Sequence, residues 1–145
     1  MRHLVEVVVR LKWYLKTKMS KTLLWLDDIR NPNTENWLDY SPIEKPFETV
    51  WVKNYNEFVD WIEQNGLPTA ICFDHDLEPD IMNGDPMKPL ECTIEYAKTG
   101  FDCAKWLVNY CIDNNKPLPK YNIQSANPVG GDNINGLLTN FSKQR

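Results

Sequence analysis

The chain has 145 residues, a length that suits one domain with a core able to stand without disulfide or metal staples. An apolar share of 42% and a charged share of 25% are those of an ordinary globular protein and exclude a low-complexity or fibrous one. The net charge of −4 is unevenly spread: residues 1–21 carry six Lys/Arg against Glu6 alone, and residues 22–145 carry ten against nineteen acidic side chains, which excludes an extended nucleic-acid groove and suits a carboxylate-rich metal site.

The first eighteen residues differ from the rest. Val7-Val8-Val9 lies between Glu6 and Arg10, too short an apolar run to span a membrane, and no small-residue cleavage site follows. Two readings stay open: a basic extension forming an added strand or helix, or a natural start at Met19. The second is preferred, so residues 1–18 are set apart from a single domain over 19–145. Four cysteines without a C-x-x-C pair read as reduced, partly buried thiols, which places the protein in the cytoplasm.

Thr22 to Leu26 predicts a buried strand, because Leu-Leu-Trp-Leu has no polar alternation. Residues 31–48 lack helical periodicity and contain Pro32, Pro42 and Pro46, so an irregular connection is expected. Glu48 to Lys53 predicts a second strand. Asn54 with Glu57 has the pattern of a capping box, and Tyr55, Phe58, Val59 and Ile62 form a helical stripe that Gly66 ends. Thr69 to Phe73 is a third strand, followed by a long Pro/Gly/acidic connection over 77–98 that would serve as a lid over a substrate. Thr99 and Asp102 open a helix to Asp113. Tyr121 to Gln124 is a fourth strand, and Asp132 or Asn133 caps a last helix reaching Phe141. Right-handed crossovers turn this order into an open α/β parallel sheet with helices on both faces.

Three strands end abruptly at chemistry-bearing groups: Asp27-Asp28, Asp74-His75-Asp76, and Ser125-Ala126-Asn127. Parallel strands gather ligands at their carboxyl edge, so these groups are expected in one crevice. Adjacent carboxylates repel and need a cation, an arginine or solvent to stay ionised. Asp27, Asp28, Asp74 and Asp76 are the candidate metal ligands, with magnesium or manganese the expected ion; a solvated turn in which Asp28 caps and pairs with Arg30 is the plainer reading. Strand alternation puts Asp74 and Asp76 on one face, with His75 pointing away or toward the rim. His75 suits proton transfer near neutral pH, or a structural hydrogen bond. Ser125, Asn127, Gly130 and Gly131 offer donors at a helix start for phosphate oxygens, though Asn-Pro and Gly-Gly are also turn chemistry. Arg30 either clamps a phosphate or pairs with Asp28 or Asp76.

The acidic pair after the first strand and Asp74 after the third resemble receiver domains, in which carboxylates hold magnesium beside a phosphoacceptor Asp; Ser125 falls where receivers place Thr or Ser. The chain departs from them in offering no strand-borne lysine, only Lys143 in the tail. Leu-Asp-Asp-Ile-Arg-Asn-Pro, Phe-Asp-His-Asp-Leu, Thr-Gly-Phe-Asp-Cys-Ala-Lys-Trp-Leu and Ser-Ala-Asn-Pro-Val-Gly together are more similar to the cyclic-phosphate-processing receiver domain, common in phages and bacteria. That resemblance covers Leu23 to about Phe141. It implies a receiver-like (flavodoxin-like) sheet of four strands in the order 2-1-3-4. It also implies a metal-dependent phosphoesterase acting on a cyclic phosphate of a small molecule, a nucleotide or an RNA end, with Asp74, His75 and Ser125 as catalytic groups and, if phage-encoded, the host cytoplasm as its place. The family usually has His where this chain has Gln124. A receiver phosphorylated on Asp74, or a protein that sequesters a cyclic nucleotide without turnover, is the alternative.

Overall fold

A computed structural model describes residues 2–77 and 98–144. Its elements are α1 (Arg2–Met19), β1 (Thr22–Leu26), β2 (Glu48–Val52), α2 (Tyr55–Asn65), β3 (Ala70–Phe73), α3 (Gly100–Asp113), β4 (Lys120–Ile123) and α4 (Pro128–Lys143), with a short 3-10 turn at Trp37–Tyr40. The strands form one parallel sheet in the order β2-β1-β3-β4, the architecture expected from the sequence. The proposed lid over 77–98 falls almost wholly outside the described residues. Helix α1 exposes every residue from 3 to 12, and none of these joins either core cluster. No described helix is long and apolar enough to cross a membrane.

The pleat divides β1 and β3 between two cores. Leu24, Leu26, Ile71 and Phe73 face one way, into Phe58 and Ile62 of α2, Cys103, Ala104 and Leu107 of α3, and Ile134 and Leu138 of α4. Leu23, Trp25, Ala70 and Cys72 face the other way and are covered by Trp37, Leu38, Ile43 and Phe47. Among the described residues, α2, α3 and α4 thus share one face, and the β1–β2 connection with its 3-10 turn lines the other. That asymmetry follows from chain direction: right-handed crossovers leaving β1 toward β2 and returning toward β3 lie on opposite faces. The reversal makes the gap between the carboxyl ends of β1 and β3 a topological switch point, the usual crevice for ligands in such sheets.

Local chemistry sets the helix ends. Asn54 Oδ1 accepts from the Glu57 amide, and Gly66 closes α2 at φ 82°, a left-handed value that glycine takes without strain. Thr99 and Asp102 form a reciprocal capping box on α3. The start of α4 differs from the sequence expectation: Asn127, not Asp132 or Asn133, is the N-cap, with its Oδ1 taking the Gly130 amide. Pro128 explains the earlier start, since its fixed φ suits the first helical position, where no amide is needed. Strand β4 ends one residue earlier than expected, which leaves Gln124 just beyond the sheet.

Glycines test this packing in opposite directions. A Cβ on Gly100 would lie 1.8 Å from the Asp74 carbonyl oxygen, whereas one on Gly136 would meet nothing within 4 Å. Gly100→Ala is expected to destabilise by about 1–3 kcal/mol through forced displacement. Gly136→Ala, on an exposed turn of α4, is expected to stabilise by about 0.5–1 kcal/mol. Urea midpoints of the two variants check both signs.

Candidate functional site

The sheet's hydrogen bonding runs one residue past each strand. Asp27 N donates to Val52 O at 3.1 Å, Asp74 N to Leu26 O at 2.9 Å, and Gln124 N to Phe73 O at 3.0 Å. Asp27, Asp74 and Gln124 therefore stand side by side on one rung beyond β1, β3 and β4. They are also the buried polar residues of the described chain, 1%, 5% and 7% exposed.

Asp27 organises the turn that follows β1. Its Oδ1 accepts from the amides of Ile29 and Arg30, and its Oδ2 takes the Arg30 guanidinium at 3.0 Å. Two indoles fix the same turn from the core: Trp25 Nε1 donates to Arg30 O and Trp51 Nε1 to Asp27 O at 2.7 Å. Arg30 lies over the Trp37 ring and reaches within 3.9 Å of Asp74 Oδ1. The arginine thus pairs with Asp27, a partner the sequence did not suggest beside Asp28 and Asp76, because the turn brings residues 27 and 30 together; Asp28 also acts on it through its charge. Capping likewise falls to Asp27.

Asp27, Asp28 and Asp74 offer carboxylate oxygens that all lie within 4.8 Å of one another. Asp74 is pushed up to about 6 from an ordinary 3.8, first by burial and then by the charge of Asp27; the His75 amide and Arg30 oppose the shift. One guanidinium against three carboxylates is too little positive charge to keep Asp74 comfortably ionised. Hard oxygen donors with surplus negative charge are what a divalent cation of the magnesium class takes.

Asp76 stands apart from this group. Its side chain is 72% exposed and holds His75 Nδ1 at 2.8 Å, and that hydrogen bond leads the causes that keep its carboxyl below the usual range. The expected alternation of residues 74–76 fails because β3 stops at Phe73, so strand geometry no longer applies beyond it. His75 is therefore drawn to Asp76 and not turned away from it. Asn127 Nδ2 reaches Asp76 Oδ1 at 3.3 Å and His75 Nδ1 at 3.4 Å. A Cβ on Gly130 would lie 2.3 Å from His75 Cγ, so α4 packs its glycine directly on the imidazole. The sequence placed Gly130 and Gly131 as phosphate donors; their amides are instead spent on Asn127 Oδ1 and Asn127 O. Ser125 Oγ accepts from the Asn127 amide and lies with Asn127, Gly131, Asp132 and Asn135 in a groove of about 420 Å³ beside β4. None of the carboxylates of the 27/28/74 group lines that groove.

A parallel 2-1-3-4 sheet with clustered carboxylates beyond its first and third strands defines a receiver-like domain. More particularly, the chain belongs to the cyclic-phosphate processing receiver domain family, whose model matches residues 22–140. Among curated proteins and solved structures there is no significant match.

The raised Asp74 has a measurable consequence. With its folded value near 6 above an unfolded 3.8, the stability linked to this group is fully present below pH 4 and lost as pH rises through 6. In chelator, the protein is expected to lose roughly 2 kcal/mol between pH 4 and 7 from this residue. Asp74→Asn should flatten that slope and be more stable than the parent at pH 7, read from urea unfolding across the pH series.

Proposed function

We propose that this protein hydrolyses a cyclic phosphate ester, of a nucleotide or an RNA end, with a magnesium or manganese ion held by Asp27, Asp28 and Asp74. The observation that carries this reading is the convergence of three carboxylates, two of them buried, at the switch point of a cyclic-phosphate processing receiver domain. When bound, such an ion polarises the phosphoryl group and neutralises the charge that develops on it.

The chain's own residues supply proton transfer and binding. The Asp76 carboxylate at 2.8 Å favours a hydrogen on His75 Nδ1, and Asn127 gives its Nδ2 hydrogen to Asp76. Nε2 is left with its lone pair to accept a proton from the attacking water and pass it to the departing ester oxygen. The water oxygen forms the new bond to phosphorus as one ring P–O bond breaks, giving a phosphomonoester and a free hydroxyl. In this reading Arg30 and the Ser125 hydroxyl hold non-bridging oxygens. Gly130 contributes by leaving room for the imidazole.

A receiver phosphorylated on Asp74 without turnover is the second reading. Arg30 favours it, since a guanidinium 3.9 Å from Asp74 Oδ1 stands where an acyl phosphate would need a cation. A panel of ring-closed RNA ends, cyclic mononucleotides and cyclic oligonucleotides, assayed with and without magnesium, separates the two. The expected result is metal-dependent opening of one class, abolished in Asp74→Asn and lowered about 10²-fold or more in His75→Gln. Recovery of every ligand intact, with a lasting aspartyl-phosphate formed from acetyl phosphate, would move the assignment to signalling.

A further inference from the structure

Gln124 is the third side chain on the rung of Asp27 and Asp74, and the site described so far gives it no role. Its Nε2 donates to Leu26 O at 3.1 Å, the same carbonyl that accepts the Asp74 amide. The carboxamide therefore lies across the end of β3, between the tails that carry the two buried carboxylates. That contact fixes its orientation, because turning the amide over would set Oε1 against a carbonyl oxygen. Oε1 is fully buried and finds no hydrogen-bond donor among the described residues. A buried acceptor without a donor is costly, and a native structure retains one where something else supplies the hydrogen.

The neighbouring chemistry says what that something is. The other side chains on the rung are carboxylates, which are acceptors themselves. The amides of Ile29 and Arg30 and the Arg30 Nη1 are directed at Asp27, and the His75 amide at Asp74, not at Oε1. A phosphate oxygen would bring a further acceptor and leave Oε1 unmet. A hydrated hard cation brings hydrogens, because magnesium keeps several of its waters when bound by carboxylates.

We propose that Gln124 supplies the neutral oxygen of the cation site, its Oε1 accepting a hydrogen bond from a water in the shell of a hydrated divalent cation held by Asp27, Asp28 and Asp74. This rests on the metal reading given above. Gln124 is then a positioning residue: it orients a cation-borne water without adding charge to a cluster already short of positive charge. Outer-shell partners of this kind commonly change metal affinity tenfold to a hundredfold.

The test is cation binding by the full chain, measured by magnesium calorimetry and by the spin-resonance signal of free manganese, together with thermal midpoints in chelator. Gln124→Met keeps length and bulk while removing the acceptor. It is expected to raise the dissociation constant about tenfold or more and to shrink the cation-induced rise in midpoint, with a small change in chelator. Equal binding by parent and variant, with midpoints lowered alike in chelator and in cation, would assign Gln124 a purely structural clamp on Leu26 and overturn the proposal. No binding by the parent would instead sink the metal reading itself. Should the Met variant not fold, Gln124→Glu decides: it keeps the acceptor, adds a charge, and is expected to bind the cation more tightly while melting lower in chelator. Unchanged affinity in that variant would equally overturn the inference.

Discussion

Asp27 and Asp74 are buried like charges on neighbouring strand tails, and their repulsion is the constraint around which the site is arranged. Water is excluded from both, so the repulsion is not relieved by solvent. Arg30 answers it in part, bonded to Asp27 and within 3.9 Å of Asp74. The arginine is itself held by backbone and core: the turn begun by Asp27 positions it, the Trp25 indole bonds its carbonyl, and Trp37 lies beneath its guanidinium. Gly100 brings α3 against the Asp74 carbonyl, with its amide bonded to His75 O at 2.7 Å. Core packing, helix placement and turn geometry thus all hold Asp74 where its charged form is disfavoured, as functional sites commonly do.

A second polar group stands beside the first and is built differently. His75, Asp76 and Asn127 are joined by hydrogen bonds near the surface, where Asp76 stays ionised and fixes the imidazole. One group is buried and short of positive charge; the other lies near the surface, with the Asp76 side chain largely exposed. Residues 74 to 76 join the two because the chain leaves β3 at Phe73 and stops alternating. The separation of the two groups follows from that single change in backbone geometry.

Much of the fold was legible because its signals are local. Leu-Leu-Trp-Leu and Ala-Ile-Cys-Phe have the unbroken apolar character of strands buried on both faces, and the Thr99–Asp102 and Asn54–Glu57 pairs marked their helix starts. The 2-1-3-4 order came from family likeness, and the carboxylate convergence from the rule that ligands gather at strand ends. What escaped depends on distance in space. No periodicity reveals that Trp25 and Trp51 turn their indole N–H groups onto residues 27–30, or that Asp27 bonds the Arg30 guanidinium. That Asn127 Oδ1 caps α4, and that Gly130 packs closely on His75, was likewise not readable from the turn chemistry of Asn-Pro and Gly-Gly. Gln124 gave no sequence signal of its role, since its burial follows from the rung it shares with residues fifty and ninety-seven positions away.

The most direct test of the account is a crystal of the protein grown with manganese and measured for anomalous scattering. A single strong peak bounded by the carboxylates of Asp27, Asp28 and Asp74 is the predicted result. A peak elsewhere, or none while Arg30 alone neutralises Asp27 and Asp74, would contradict the claim that these buried charges are held together to take a divalent cation.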